Sequence, residues 1–187
     1  MKVSKAQAQA NRTRIVETAS TQFRERGYDG VGVADIMKAP GVTHGGFYKH
    51  FGSKTDLMAQ AAQCGIAQTV AATAGVDRLA FMRYYLSRKH RDNPGDGCTM
   101  AALGPDAARQ PEAVREAFAA GIEQMLAVLG TGETDPGTHT RARAETIDTL
   151  AHLVGAIVLS RACPAGSPLA DEILQACRAA LLPAAQT

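Results

Sequence analysis

Tryptophan is missing altogether, and five phenylalanines and four tyrosines are the whole aromatic complement of this 187-residue chain. A core must therefore be built chiefly from aliphatic side chains. Runs of β-branched residues in strict alternation are absent too. That removes the pattern of a half-buried strand and leaves an alanine- and leucine-rich, helix-prone composition. Nowhere do about 18 uncharged apolar residues follow one another, the length a membrane-spanning helix needs. The start, Met1 to Gln7, carries positive charge with no apolar stretch behind it, so it does not read as a secretory signal.

Reactive constellations are as sparse. Cys64, Cys98, Cys163 and Cys177 stand far apart without a CxxC pair, which argues against structural zinc and fits a reduced, cytoplasmic setting. His44, His50, His90, His139 and His152 show no HxxxH spacing, and no nucleophile triad, phosphate loop or metal-ligand set is visible. The chain is expected to be no enzyme and to hold no metal and no cofactor.

What is present is unevenly placed charge. Residues 1–60 hold nine lysines and arginines against five acidic residues, with His44 and His50 in addition, while the remainder holds eleven against thirteen. A basic first third on a slightly acidic body suits a head that binds a polyanion.

The apolar spacing is helical throughout, and the expected fold is all-α. Ile15, Ala19 and Phe23 put one apolar face on a helix over 11–26, which Gly27 ends. A short helix over 33–38 buries Val33, Ile36 and Met37, and Pro40 with Gly41 breaks it. Thr43 can cap a third helix running to His50, with Phe47 and Phe51 turned inward. Ser53 then caps a fourth, to about Ala74, and Asp56 completes something close to a capping box. Three short helices with a tight turn before the third match a helix-turn-helix, whose third helix enters the major groove. Further helices are expected over 77–89, 98–108, 112–129, 140–163 and 169–182. In the last two, Ile147, Leu150, Val154, Ile157 and Val158 form one stripe, and Leu169, Ile173, Leu174 and Leu181 another. Such stripes either pack only on their own domain or pair with a second copy in a two-fold four-helix bundle. The second is the preferred reading, because a head this small rarely reads enough bases alone.

The segment Arg14 to Ala19, Phe23, Gly27-Tyr28, Ile36, Gly41-Val42, Gly46 to Phe51, and Ser53, Lys54, Asp56 and Leu57 resemble the tetracycline-repressor (TetR) family of bacterial transcriptional regulators. The match covers residues 11–60; beyond them only length and helix pattern agree. The resemblance implies about nine helices, with a DNA-binding domain over 1–56 and a ligand-binding and dimerisation domain over 57–187. It implies a homodimer through 140–163 and 169–182 that binds a double-stranded DNA operator and answers to a small molecule. Thr43, His44, Gly45, Tyr48, Lys49, His50 and Lys54 occupy the positions that would face DNA. Tyr48, one step from Phe47, cannot share its inward direction, and Lys49 and Lys54 suit phosphates. The sequence departs from the family at Gly32-Val33-Ala34, where a capping threonine that touches phosphate is usual, and at Pro40.

The resemblance also puts a small-molecule pocket among the middle helices, where Phe81, Tyr84, Tyr85, Met100, Leu103, Phe118, Met125 and His152 could line it. Cys98 follows Asp96-Gly97 and begins a helix, a place that favours a reactive thiolate. It is either a sensor of oxidants or electrophiles or a small core residue. The alternative to a ligand-responsive repressor is a helical adaptor of the same fold that no longer binds DNA.

Overall fold

A computed structural model of the chain describes residues 4–38, 44–130 and 136–182. Among the described residues there are nine α-helices, two short 3-10 segments and no strand. The helices are α1 (Lys5–Arg26), α2 (Val33–Lys38), α3 (Lys54–Thr73), α4 (Arg78–Tyr85), α5 (Arg88–Asp92), α6 (Thr99–Ala107), α7 (Glu112–Leu129), α8 (Pro136–Ala162) and α9 (Pro168–Leu181). The 3-10 segments are His44–Lys49 and Pro94–Asp96. The expected turn at Pro40-Gly41 and the cap at Thr43 lie outside the described residues.

Several boundaries differ from expectation, each for a local reason. α1 begins at Lys5 rather than Asn11, because the Ser4 hydroxyl accepts the Gln7 N–H at 3.1 Å and caps a run of good helix formers. It ends as expected at Gly27, whose φ of 75° lets its N–H reach Phe23 O at 2.8 Å. The helix expected over 77–89 is two helices. Ser87 breaks it: its side chain accepts the His90 N–H and starts α5 afresh. The segment expected as a third α-helix is 3-10 over its described part, where two adjacent glycines weaken α-helical geometry. At α3 the Ser53 hydroxyl accepts from Asp56 N–H at 3.1 Å. The Asp56 carboxylate reaches back to Gly52 N–H at 3.0 Å, one residue earlier than a standard capping box.

Two apolar clusters carry the packing. The first joins Ile15, Ala19 and Phe23 of α1, Ile36 and Met37 of α2, and Phe47 and Phe51 to the first half of α3. It continues into Leu103 and Ala107 of α6 and Val114 and Phe118 of α7, so the expected head rests directly on the body. The second gathers Ile66, Phe81, Met82, Tyr85, Leu86 and Met125 with Leu150, Leu153 and Ile157 of α8 and Leu174 of α9. α3 is the spine, packing on α1 and α7, while α8 pairs with α9. At the α3–α7 crossing Gly121 sits against Ile66, where a Cβ would fall 2.4 Å from Ile66 Cδ1. No described helix is long and apolar enough to cross a membrane.

Candidate nucleic-acid surface and ligand cavities

The 3-10 segment is fixed from beneath and bare on top. Phe47 and Phe51 are buried with ring centroids 5.4 Å apart, and Gly46 is buried beside them. Tyr48 is 70% exposed, held only by an edge contact of its ring with Phe47 at 5.1 Å. Lys49 is exposed and has no ion pair among the described residues, and His50 is half-buried against Phe51. An unpaired ammonium beside an exposed phenol is a surface that can meet phosphate and a base edge. Next to it the Arg12 guanidinium lies 5.3 Å over the Phe51 ring, and Arg14 is held by Asn11 at 3.0 Å. The side chains of His44 and Gly45 and all of Thr43 lie outside the described residues.

Lys54 has a different partner from the phosphate expected. Its ammonium donates to Tyr28 O at 2.6 Å and sits 6.0 Å from the Phe23 ring. It closes the turn after α1 onto the start of α3, because the Tyr28 carbonyl lies within reach of the first turn of α3.

The seam between head and body is polar at one point. Arg24 of α1 is buried; its Nε donates to Gly95 O at 2.7 Å, and its Nη1 to Ser20 Oγ at 2.8 Å and Thr99 Oγ1 at 3.4 Å. Room for this guanidinium exists because residue 65, in the middle of α3, is glycine. A Cβ there would stand 2.2 Å from Arg24 Nη1, 2.4 Å from Thr99 Oγ1 and 2.6 Å from Ser20 Oγ. Nothing in the sequence singles out Arg24 itself; a lone glycine inside an otherwise regular helix was the available signal. A second tie runs from Tyr28 N–H to the Asp106 carboxylate at 3.4 Å.

Residue 90 is another buried polar knot. The Cys98 N–H donates to His90 Nε2 at 3.0 Å, so the ring proton sits on Nδ1 and goes to Tyr85 O, 2.7 Å away. Burial depresses the imidazole pKa, and the positive charge of Arg161 acts the same way against the opposing bond to Tyr85. Arg161 donates to the carbonyls of Arg91 and His90, both at 2.9 Å, and so closes the end of α5. Asp171 of α9 bridges Arg88 and Arg91.

The expected ligand residues divide between two cavities. The larger, about 460 Å³, lies among α6, α7 and α8 and is almost wholly apolar. Met100 and Phe118 line it, with Ile122, Leu126 and Val154, and small residues such as Gly104 and Ala151 make its volume. Arg115, exposed, is the one charged side chain at its edge among the described residues. The smaller, about 300 Å³, lies at the seam and takes Phe81, Tyr84, Tyr85 and Cys98 into its wall. Met125 and His152 line neither of these cavities; Met125 is core at 1% exposure, and His152 is half-buried on α8. Leu103, likewise, is buried in the first apolar cluster. Cys98 occupies the N-cap position of α6 but is 3% exposed and makes no side-chain cap bond. No group of three or more possible metal ligands occurs among the described residues.

Residues 15–61 match the profile of the family described as "Bacterial regulatory proteins, tetR family". The head carries the TetR-family signature. The matched residues are those of the head just described, from Ile15 of α1 to Ala61 of α3. Among named relatives, the HTH-type transcriptional repressor DhaR of a Mycobacterium species is 29% identical over 121 residues, 62% of this chain and 61% of that protein. The HTH-type transcriptional regulator TtgR of Pseudomonas putida is 40% identical over 55 residues, 29% of this chain and 26% of its own length. The match thus spans less than two thirds of either relative. The fold is shared over nearly the whole chain: the reduced form of NemR from E. coli superposes with a TM-score of 0.71 at 18% identity, covering 91% of this chain and 94% of that one. The multidrug binding protein EbrR, complexed with imidazole, gives 0.58 at 26% identity over 89% and 93%. Beyond the TetR head, likeness is a matter of shape more than of sequence.

Proposed function

We propose that this chain is a dimeric transcriptional repressor of TetR type that binds a palindromic DNA operator and leaves it when a small molecule enters the body. The observation that carries the reading is the segment His44–Lys49: its phenylalanine is buried, its Tyr48 and Lys49 stand free in solvent. Tyr48 touches the edge of the Phe47 ring and leaves 70% of its surface open to a partner outside the fold. In this reading residues 1–56 act as the DNA-binding domain and 57–187 as the ligand-binding and dimerisation domain, and the protein works in the cytoplasm with the chromosome. Tyr48, Lys49 and His50, with Thr43, His44 and Gly45, make the DNA contacts, while Lys54 holds their support in place. Ile147 and Leu159 on α8 and Leu169 on α9 are large apolar residues left 46%, 59% and 53% exposed, which supports pairing of these helices with a second copy. The apolar cavity of α6, α7 and α8 is the effector site of this reading, and its walls suit a hydrophobic compound.

Modification of Cys98 is the second input, favoured by its place at the start of α6 in the wall of the seam cavity. Alkylation mapping in which Cys98 reacts no faster than Cys64 or Cys177 removes it. The function itself is tested by selecting genomic fragments on the purified protein at two salt concentrations. Enrichment of a short palindrome, with affinity falling steeply as salt rises, is the expected result. No enrichment at low salt overturns the repressor reading and leaves the helical adaptor.

A further inference from the structure

A third cavity, about 490 Å³, lies where the end of α5 meets the turn from α8 to α9, and it shares no wall residue with the other two. Its charged walls are Arg91, Asp92 and Arg161. Arg91 is neutralised twice: its Nε meets Asp92 at 2.6 Å and its Nη1 meets Asp171 at 2.9 Å. Arg161 is not. Its Nε and Nη2 go to the carbonyls of Arg91 and His90, its Nη1 has no hydrogen-bond partner, and no carboxylate pairs with it among the described residues. Burial lowers its pKa, as befits a charge without a partner of opposite sign in contact. The corner holds three guanidiniums, Arg88, Arg91 and Arg161, against the two carboxylates of Asp92 and Asp171, so one positive charge is in excess. An uncompensated buried charge is costly. The turn adds to the same field. Ala170, in the first turn of α9, lines the cavity, and Ser167 gives that helix no side-chain cap, so the positive end of its dipole borders the same space. Ala165 and Gly166 form the exposed edge of the cavity.

From these walls we infer that the corner between α5 and the α8–α9 turn is an anion site, which takes a phosphate group, free or carried on a small metabolite. The anion offsets the excess charge of Arg161 and borders the first turn of α9. Phosphate fits better than a carboxylate because the walls come from three elements, α5, α8 and α9, and a tetrahedral oxyanion presents oxygens in as many directions. The cavity is larger than one phosphate group, which leaves room for a small substituent. Asp92, the one acidic wall residue among those described, is already held by Arg91. A bound anion joins α5 to the α8–α9 hairpin. It requires neither the DNA surface nor the apolar effector cavity.

The experiment uses the full chain without DNA, so its failure and that of the repressor reading are distinguishable. Inorganic phosphate is the probe, titrated at fixed ionic strength against chloride, with acetate as the planar counterpart. Binding is followed by phosphorus NMR line broadening and by calorimetry, since phosphate raises melting temperatures without binding. Saturable binding is expected, with acetate weaker. Ala165→Glu sets a carboxylate at the exposed edge of the cavity and is expected to weaken phosphate about tenfold or more. Ala165→Gln, of the same size without the charge, is expected to bind like the parent. Arg161→Gln is expected to lose the response; if that variant fails to fold, the Ala165 pair decides. Lys49→Gln, on the proposed DNA surface, is expected to leave binding unchanged. Glycerol phosphate separates the sources: tighter binding than inorganic phosphate marks a carried group, weaker binding a free ion, and either supports the site. Absence of saturable binding overturns the inference, as does acetate binding as tightly as phosphate. Equal affinity in Ala165→Glu and Ala165→Gln, or binding lost in Lys49→Gln, also overturns it.

Discussion

Replacing Gly65 by alanine should destabilise this protein, although alanine is the better helix former. Gly65 is in the middle of α3, where alanine is worth about 1 kcal/mol over glycine. Against that gain stand three atoms within 2.6 Å of the added methyl: Arg24 Nη1, Thr99 Oγ1 and Ser20 Oγ. Heavy atoms do not approach so closely, so the guanidinium has to leave its bed. Ser20 and Thr99 can rotate away, but only by giving up their bonds to Arg24. Each hydrogen bond to a charged group contributes about 1.5–3 kcal/mol. The loss of one of them, offset by about 1 kcal/mol of helix gain, leaves a net cost of about 0.5–2 kcal/mol. For a chain of this size that corresponds to a fall in Tm of roughly 1–8 °C. The assay is thermal and urea unfolding at fixed protein concentration, because an oligomer's melting point depends on it. A double-mutant cycle with Arg24→Met isolates the cause. Once the guanidinium is gone, Gly65→Ala should become neutral or stabilising. A Gly65→Ala protein more stable than the parent would refute the reasoning, since it would mean that Arg24 is not pinned at the seam.

Other consequences follow from the same geometry. Gly121→Ala should cost about 1–3 kcal/mol through overpacking at the α3–α7 crossing, and Ile66→Val, which removes the nearest methyl, should restore part of it; urea unfolding of the three proteins checks this. Tyr48→Ala should change stability by less than about 0.5 kcal/mol while weakening operator binding by about 1–3 kcal/mol, whereas Lys54→Met should lower the melting temperature; unchanged operator affinity in Tyr48→Ala would displace the proposed DNA surface. His90 is held neutral, with a folded pKa below the usual 6.5. Its contribution is therefore present above pH 6.5 and is lost as pH falls below that value, when the unfolded chain takes up a proton that the folded one resists. Melting curves from about pH 7.5 to 5, which bracket the ordinary histidine range, should show a drop that His90→Gln flattens; parallel curves would count against it.

The helices and the head were legible in the chain alone. Apolar residues at three- and four-residue spacing on α1, α7 and α8 report helical faces directly, because the periodicity is a property of one segment at a time. Capping is equally local, so Gly27 and Ser53 marked their helix ends correctly, while Ser4 and Ser87, with the same chemistry, were passed over. The resemblance to TetR regulators was legible for a similar reason, since it rests on short runs between Arg14 and Leu57, Gly46 to Phe51 among them. What distant residues do together emerged with three-dimensional packing. Arg24 reads as one more basic residue of a basic head until Gly95, Thr99 and Gly65 are brought round it from 41 to 75 positions away. Lys54 reads as a phosphate contact until the Tyr28 carbonyl arrives above it. The cavities are invisible in the chain because they are made of what side chains fail to fill. Their volume depends on how helices cross, and a crossing is set by every packed residue at once.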